Sequence, residues 1–376
     1  MRVDFLIVGA GFAGCVLAER LASQSRKKCL LIDRRDHIGG NAHDSYSSAG
    51  VLIHNYGPHY FRTNSLRIKD YLGQFTEWHH VEYKIAVWTW DRYWPFPINL
   101  NTFEQLVGHP ATTAEMEAAL AQWRVPIESP RNSEEAIISK IGVKLFEIFY
   151  KQYTLKQWGC EARDLDPSVC SRIPIRTNRD DRYFSDTFQA LPKLGYHKMF
   201  ERMVKHENIT TLLRTDYRTL PPNINWNHLI YTGPIDEFYD FRLGPLPYRS
   251  LRFEREDIDR EYFQPFVQVN YPNNFDFTRI VEVKHVTGQQ IPVSTIVREY
   301  PHDFRPGYDP FYPIPSNQNQ SLYNEYAALA RREINVTFVG RLATYRYYNM
   351  DQIVGMALSE WEKLDSALGR NSVRKS

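Results

Sequence analysis

The residues of this 376-residue chain best suited to chemistry are glycines: Gly9, Gly11 and Gly14 stand in GAGFAG, directly after the apolar run VDFLIV at 3–8. That spacing lets the backbone turn too tightly for side chains, approach a pyrophosphate, and seat a helix against a strand. The helix opening at Phe12 and Ala13 then offers free amide hydrogens to an anion. Asp33 lies 19 residues beyond Gly14, at the end of a second apolar run, KCLLID at 28–33. There its carboxylate can accept hydrogen bonds from a ribose diol, so the set reads as a dinucleotide-binding site. No Ser/His/Asp arrangement, paired-carboxylate site or metal-ligand spacing competes with it. The four cysteines, Cys15, Cys29, Cys160 and Cys170, form no CxxC pair, so neither zinc nor a disulfide scaffold is indicated and a reducing cytoplasm is expected.

Positioning these groups requires a strand, a glycine turn, a helix and a second strand within the first 33 residues, which is a βαβ unit. From Asn101 to Trp158 the pattern turns helical, with apolar residues at three- and four-residue spacing in Ala114–Trp123 and Glu134–Tyr150. Between 246 and 300 it shifts to period two, in Tyr248–Phe253, Phe266–Tyr271, Arg279–Val286 and Val293–Tyr300. That predicts an antiparallel sheet, joined by a strand at Lys84–Trp90. The opening style returns at the end, with a strand at 335–340 and an amphipathic helix over Met350–Leu368, followed by a frayed tail after Gly369. The fold class expected is therefore α/β: a discontinuous Rossmann-like domain (1–80, 185–245 and 333–376), a helical insertion (101–184) and an antiparallel sheet domain (81–100 and 246–332).

Lys plus Arg number 46 against 44 Asp plus Glu, a net charge of +2, which argues against a general nucleic-acid or anionic-membrane binder. An anionic ligand must meet a local cluster of cations. No run of about 18 apolar residues exists to span a membrane. The 14% of aromatic residues supplies rings for stacking on a flat ligand as well as for the core.

The choice of dinucleotide turns on DRRDHIGGN at 33–41, where Gly39 and Gly40 follow the acid by six and seven residues. This spacing resembles the FAD-binding two-dinucleotide proteins more than NAD dehydrogenases. Arg34 and Arg35 leave a 2′-phosphate reader, and thus NADP, as the other reading; the glycine pair favours FAD.

Seven further segments, YGPHYFRT (56–63), PINL (97–100), KQYTLKQWG (151–159), SRIPIR (171–176), DDRYF (180–184), YTGPID (231–236) and GRLATYRY (340–347), closely resemble the bacterial UDP-galactopyranose mutase family, in the family's order and over nearly the whole chain. The resemblance implies reduced FAD as cofactor and a UDP-sugar as substrate. It implies non-redox interconversion of UDP-galactopyranose and UDP-galactofuranose, with the sugar carried covalently on flavin N5 and no catalytic side chain as nucleophile. It also implies a homodimer that feeds cell-surface polysaccharide synthesis. By the same resemblance Arg172 and Arg279 clamp the diphosphate, assisted by Tyr183, Tyr312 and Tyr347. Phe149, Tyr153 and Thr154 hold uridine, Trp158 sits on a mobile lid, and Asn270 joins the substrate site. Arg34, Gly40, Asn41, His59, Arg341, Asn349 and Met350 join the glycines and Asp33 at FAD, and the positive end of the last helix favours an anionic reduced flavin.

Two positions depart from the family's commonest pattern. Arg62 replaces a histidine and Asn349 replaces an aspartate. Arg62 could donate to a C2 substituent, extending the range to UDP-N-acetylgalactosamine, whereas Asn349 removes a negative charge while keeping the capacity to cap a helix. Two other readings use the same scaffold: a redox flavoenzyme of amine oxidase-like type, and a non-catalytic Rossmann-like binding protein related to the GDP dissociation inhibitors.

Overall fold

The chain's first strand, Arg2–Val8, is the centre of a five-stranded sheet, because its apolar residues are covered on both faces: Leu6 and Ile7 are fully buried. The computed structural model describes residues 1–305 and 307–373. The strand order runs Ile209–Leu212, Cys29–Ile32, Arg2–Val8, Asn225–Tyr231 and Val336–Phe338, with every pairing parallel. Parallel neighbours need crossovers, and the order reverses outward from Arg2–Val8, which opens a crevice at the carboxyl ends of the strands. Helix Phe12–Ser23 covers the sheet, and Val16, Leu17 and Leu21 share its core with Val354, Ala357 and Leu358 of the last helix. The two ends of the chain thus meet in one layer. That last helix spans Met350–Val373, past the expected end at Leu368 and four residues into the tail expected to fray; residues 374–376 lie outside the described residues.

The second large sheet has seven strands in the order Tyr312–Pro313, Tyr248–Ile258, Ser294–Asp303, Arg279–Val281, Gln268–Asn270, Ile85–Thr89 and Arg92–Phe96. It is not antiparallel throughout, as period-two patterning had suggested. Gln268–Asn270 runs parallel to Ile85–Thr89, because those strands come from distant parts of the chain rather than from one hairpin. The expected strand Arg279–Val286 stops at Val281 and gives way to the short helix Lys284–Thr287. Phe61–Thr63, Phe188–Pro192 and Trp78–His80 pair antiparallel in a separate three-stranded sheet.

The helical region contains Leu100–Val107, Thr113–Trp123, Ser133–Phe146 and Gln152–Trp158. The first two open on full capping boxes, from Asn99 with Thr102 and from Thr112 with Glu115. The stretch expected to be one helix over Glu134–Tyr150 is broken twice. Gly142 has φ +79°, and a Cβ there would stand 2.2 Å from the Trp123 carbonyl oxygen, so only glycine permits the close crossing. A π turn over Glu147–Lys151 then re-aims the chain into Gln152–Trp158. Among the described residues no helix is long and apolar enough to cross a membrane, and no group of His, Cys, Asp and Glu is arranged to hold a metal ion.

Candidate functional site

The glycine turn forms for backbone reasons. Gly9 has φ +101° and a Cβ there would lie 2.0 Å from Thr232 Oγ1; at Gly14 it would lie 1.9 Å from the Gly9 carbonyl oxygen. The Gly39 N–H donates to the Ala10 carbonyl at 2.7 Å, which brings Gly40 against Gly11, where a Cβ would be 2.9 Å from Gly11 Cα. Two glycine motifs 30 residues apart in sequence are therefore one cradle. Gly11 precedes helix Phe12–Ser23 without a side-chain cap, so the helix's first amides are left for a ligand.

A cleft of about 350 Å³ follows this cradle along the crevice. Every residue expected at the cofactor lines it except Gly14, which lies beneath the turn, and Asn349, which faces a second cavity. Asp33 accepts from the Ala10 N–H at 2.8 Å and the Arg35 N–H at 2.9 Å, so it braces its own turn and keeps lone pairs for a diol. Arg34 is 3.5 Å from Glu237, and Arg35 is 2.7 Å from Asp309 and 4.3 Å from the Tyr56 ring centre. Both candidate readers of a 2′-phosphate are thus paired with acids. The cradle and the diol acceptor fit a dinucleotide cofactor. Asn349 caps the last helix from its backbone: its N–H donates to Gln352 Oε1 at 2.9 Å, one half of a capping box.

The second cavity, about 220 Å³, shares Asn41, His59, Arg341 and Met350 with the first, so the two adjoin. Arg62, Arg172, Tyr183, Arg279, Tyr312 and Tyr347 all line it, as expected of substrate residues. Their charges are not equivalent. Arg279 makes a two-pronged pair with Glu299, at 2.9 and 2.6 Å, and Glu299 is 1% exposed. Arg62 is 2.6 Å from Asp186 and 4.4 Å from the Phe184 ring centre. Arg172 and Arg341, by contrast, have no carboxylate within ion-pair distance among the described residues. They flank Tyr347, at 4.5 and 5.4 Å from its ring centre. Burial pushes the Tyr347 phenol up, but these two guanidinium groups outweigh it and hold it below the ordinary tyrosine value. The uncompensated positive charge of the cavity therefore sits at Arg172 and Arg341.

The expected uridine face is not open. Phe149 is 3% exposed and packs against Trp94 and Phe96, with ring centres 5.7 and 6.3 Å away. The Thr154 hydroxyl is buried 3.7 Å from Cys170 Sγ, and neither Phe149, Tyr153 nor Thr154 lines either cavity. Aromatic packing holds Phe149, and Cys170 takes the Thr154 hydroxyl. Trp158 also leaves the lining and packs over Tyr312 and Tyr347, with ring centres 6.0 and 5.8 Å away. Asn270 is buried beside Arg279 in register, and its Oδ1 accepts from Gln268, whose own Oε1 accepts from the Tyr83 hydroxyl. Tyr83, Gln268, Asp186 and Glu299 were missed from sequence. Gln268 alone had a readable signal, sharing a strand face with Asn270 two residues on.

His59 meets both cavities. Its Nδ1 is 2.9 Å from the Gly57 carbonyl oxygen, so that nitrogen carries the hydrogen, and its backbone N–H donates to His54 Nδ1 at 3.0 Å. Burial first, then the charges of Arg341 and Arg279, push its pKa down to about 4; burial, then His59, push His54 down to about 3. The unfolded chain takes up a proton on His54 near pH 6.5 while the folded chain refuses it, so stability present at pH 7 is lost as pH falls below that value. Between pH 7 and 5 this loss is about 2 kcal/mol for His54. Thermal denaturation at the two pH values is expected to show it, and His54→Asn, which keeps an acceptor for the His59 N–H, to flatten the slope. An unchanged slope would place the acid sensitivity elsewhere.

The fold and site define an α/β enzyme class in which a Rossmann-like dinucleotide cleft opens into an arginine-rich cavity roofed by a second sheet. A family profile described as NAD(P)-binding Rossmann-like domain matches residues 7–75, and one described as UDP-galactopyranose mutase matches residues 148–347. A Klebsiella pneumoniae protein named "Probable UDP-galactopyranose mutase" is 36% identical over 370 residues, covering 97% of this chain and 95% of that one. A dTDP-fucopyranose mutase from Escherichia coli is 32% identical, covering 94% and 96%, and the UDP-galactopyranose mutase of Mycoplasma pneumoniae is 30% identical, covering 96% of each. The chain belongs to the UDP-galactopyranose mutase family, whose named members are isomerases. In fold it is similar to the crystal structure of a reduced UDP-galactopyranose mutase, with a TM-score of 0.75 at 17% identity, covering 98% of this chain and 96% of that one. Putrescine oxidase shares the fold more distantly, with a TM-score of 0.56 at 13% identity, covering 97% and 99%.

Proposed function

We propose that the chain interconverts UDP-galactopyranose and UDP-galactofuranose without net redox change, using reduced FAD. The observation that carries this reading is the adjacency of the cradle-bearing cleft and the arginine-rich cavity, which share His59, Arg341 and Met350. When bound, FAD would be held by the cradle of Gly9, Gly11 and Gly40 with Asp33, Arg341 and Met350, and in its reduced form would supply the nucleophilic chemistry at the anomeric carbon. The chain's task is to hold what leaves. Arg172 and Arg341 present N–H groups whose charge survives desolvation, and the hydroxyls of Tyr183, Tyr312 and Tyr347 add orientation. The amino end of helix Met350–Val373, at the junction of the cavities, favours negative charge there. His59, neutral at pH 7, adds no cation. Trp158 shields the clamp from water that would hydrolyse an activated sugar.

We further propose the three-part division given above as the working domain organisation, a homodimer, and a cytoplasmic location consistent with four free cysteines. UDP-N-acetylgalactosamine is a second substrate in this reading, because Arg62 is held by Asp186 and Phe184 with N–H groups left at the cavity. Arg62→His is expected to raise the preference for UDP-galactose. The parent reading is tested by incubating dithionite-reduced protein with UDP-galactofuranose. The expected result is UDP-galactopyranose with no electron acceptor consumed, and a flavin–hexose product after quenching with cyanoborohydride. A colourless protein that cannot be reconstituted with FAD, or turnover that oxidises the substrate, would overturn it.

A further inference from the structure

Lys156 lies in the middle of helix Gln152–Trp158, yet among the described residues its ammonium finds no carboxylate within ion-pair distance. It donates instead to three backbone carbonyls, those of Tyr271 at 2.6 Å, Phe277 at 2.9 Å and Asn274 at 3.4 Å. An ammonium has three donors, and all three are spent on one loop. That loop joins strand Gln268–Asn270, which carries Asn270, to strand Arg279–Val281, which carries Arg279. It is closed by the Tyr271 N–H donating to the Thr278 carbonyl at 2.8 Å, and it holds Phe275 at φ +69°, a conformation a bulky aromatic rarely adopts. Three carbonyl dipoles converging on one point, beside a left-handed aromatic residue, is an arrangement a cation must hold.

The same helix is held at its carboxyl end from another strand. Arg249, 4% exposed on strand Tyr248–Ile258, donates to the carbonyls of Gln157 at 3.1 Å and Lys156 at 3.3 Å and pairs with Asp303. The helix then stops at Gly159, at φ +70°, where a Cβ would strike the Arg249 guanidinium at 2.5 Å. Trp158, the last helical residue, is thereby set over Tyr312 and Tyr347.

We propose that Lys156 is a positioning residue that ties the lid helix to the loop between Asn270 and Arg279, so that Trp158 and Arg279 approach a nucleotide diphosphate as one unit. This rests on the mutase reading. Without the ammonium the loop carbonyls repel one another, the hairpin loosens at Arg279, and Trp158 loses one of its two anchors. The loss falls on nucleotide binding more than on the step at the sugar.

The test uses the flavin-loaded full chain, with Lys156→Met and Lys156→Arg. UDP binding is followed by tryptophan fluorescence, turnover by chromatography, and hydrogen exchange over 152–158 and 271–278. Lys156→Met is expected to keep its flavin, to bind UDP about tenfold more weakly or worse, and to raise KM by the same factor while kcat falls less than about threefold. Lys156→Arg is expected to recover part of the affinity. UDP is expected to slow exchange in both segments together in the parent protein and to uncouple them in Lys156→Met. UDP affinity and KM within about twofold of the parent, or segments protected together in both proteins, would overturn the proposal. A parent protein that neither binds UDP nor turns over would instead overturn the mutase reading itself. If Lys156→Met does not fold, the affinity and exchange comparisons are made with Lys156→Gln, which also lacks the cation, and unchanged coupling with unchanged affinity there would overturn the proposal.

Discussion

Arg279→Met is expected to abolish measurable turnover and to destabilise the protein by about 3–5 kcal/mol. The reason lies in its partner. Glu299 stands opposite Arg279 in register on strand Ser294–Asp303, is 1% exposed, and takes two hydrogen bonds from the guanidinium. Its Oε2 lies 3.0 Å from where a Cβ on Gly57 would stand, so the carboxylate is closely packed on that side and depends on the arginine for its pairing. Removing Arg279 alone leaves a buried, unpaired negative charge at the edge of the cavity where two phosphates must sit. The charge weakens the fold and repels the ligand in the same stroke. Replacing both partners, as Arg279→Met with Glu299→Leu, is expected to restore most of the thermal midpoint without restoring turnover, because the guanidinium that lines the cavity is still missing. Denaturation and kcat/KM measured on both variants check this. A single variant within about tenfold of parental kcat/KM, or a double variant no more stable than the single one, would reject the argument.

The same pair shows where sequence reasoning runs out. The cradle was legible because its causes are local: a glycine needed where a Cβ would strike Thr232 or the Gly9 carbonyl leaves a glycine in the sequence. The acid at Asp33 closes one βαβ unit and the pair Gly39-Gly40 follows it by six and seven residues, and the positions expected around them all face one cleft save Gly14 and Asn349. Glu299 was not legible, since nothing along the chain says that it stands across from Arg279; that follows only from register between two strands. The parallel pairing of Gln268–Asn270 with Ile85–Thr89 has the same origin. Phe149 is a different case. Periodicity marks a residue as apolar on one face, but a ring that stacks on a base and a ring that packs on Trp94 look alike in sequence. Gly142 likewise reads as an ordinary weak point in a helix until the Trp123 carbonyl 2.2 Å from its missing Cβ explains the break.

Arg172→Ala is expected to lower kcat/KM by about 100- to 1000-fold while changing stability by less than about 1 kcal/mol. The contrast with Arg279 follows from what each leaves behind. Arg172 follows the short helix Ser168–Ser171, is open to the cavity, and stacks on Tyr347 without any carboxylate to neutralise it. Its removal therefore orphans no buried charge; it removes one of the two cations that have only the ligand to pair with. Flavin content is expected to be unchanged, since Arg172 lines only the second cavity. Tyr347 supplies an internal gauge, because the Arg172 charge is the chief cause holding its phenol down against burial. In Arg172→Ala that phenol is expected to titrate at higher pH. Arg172→Lys separates charge from shape. It keeps the cation and with it part of the Tyr347 effect, but a point charge cannot grip phosphate oxygens with two parallel N–H groups, so it is expected to recover no more than about a tenth of the lost kcat/KM. Full recovery by lysine would mean that the cavity selects for charge alone. A destabilisation as large as that of Arg279→Met would mean that Arg172 is a structural residue, and the free cation in the cavity would have to be sought at Arg341.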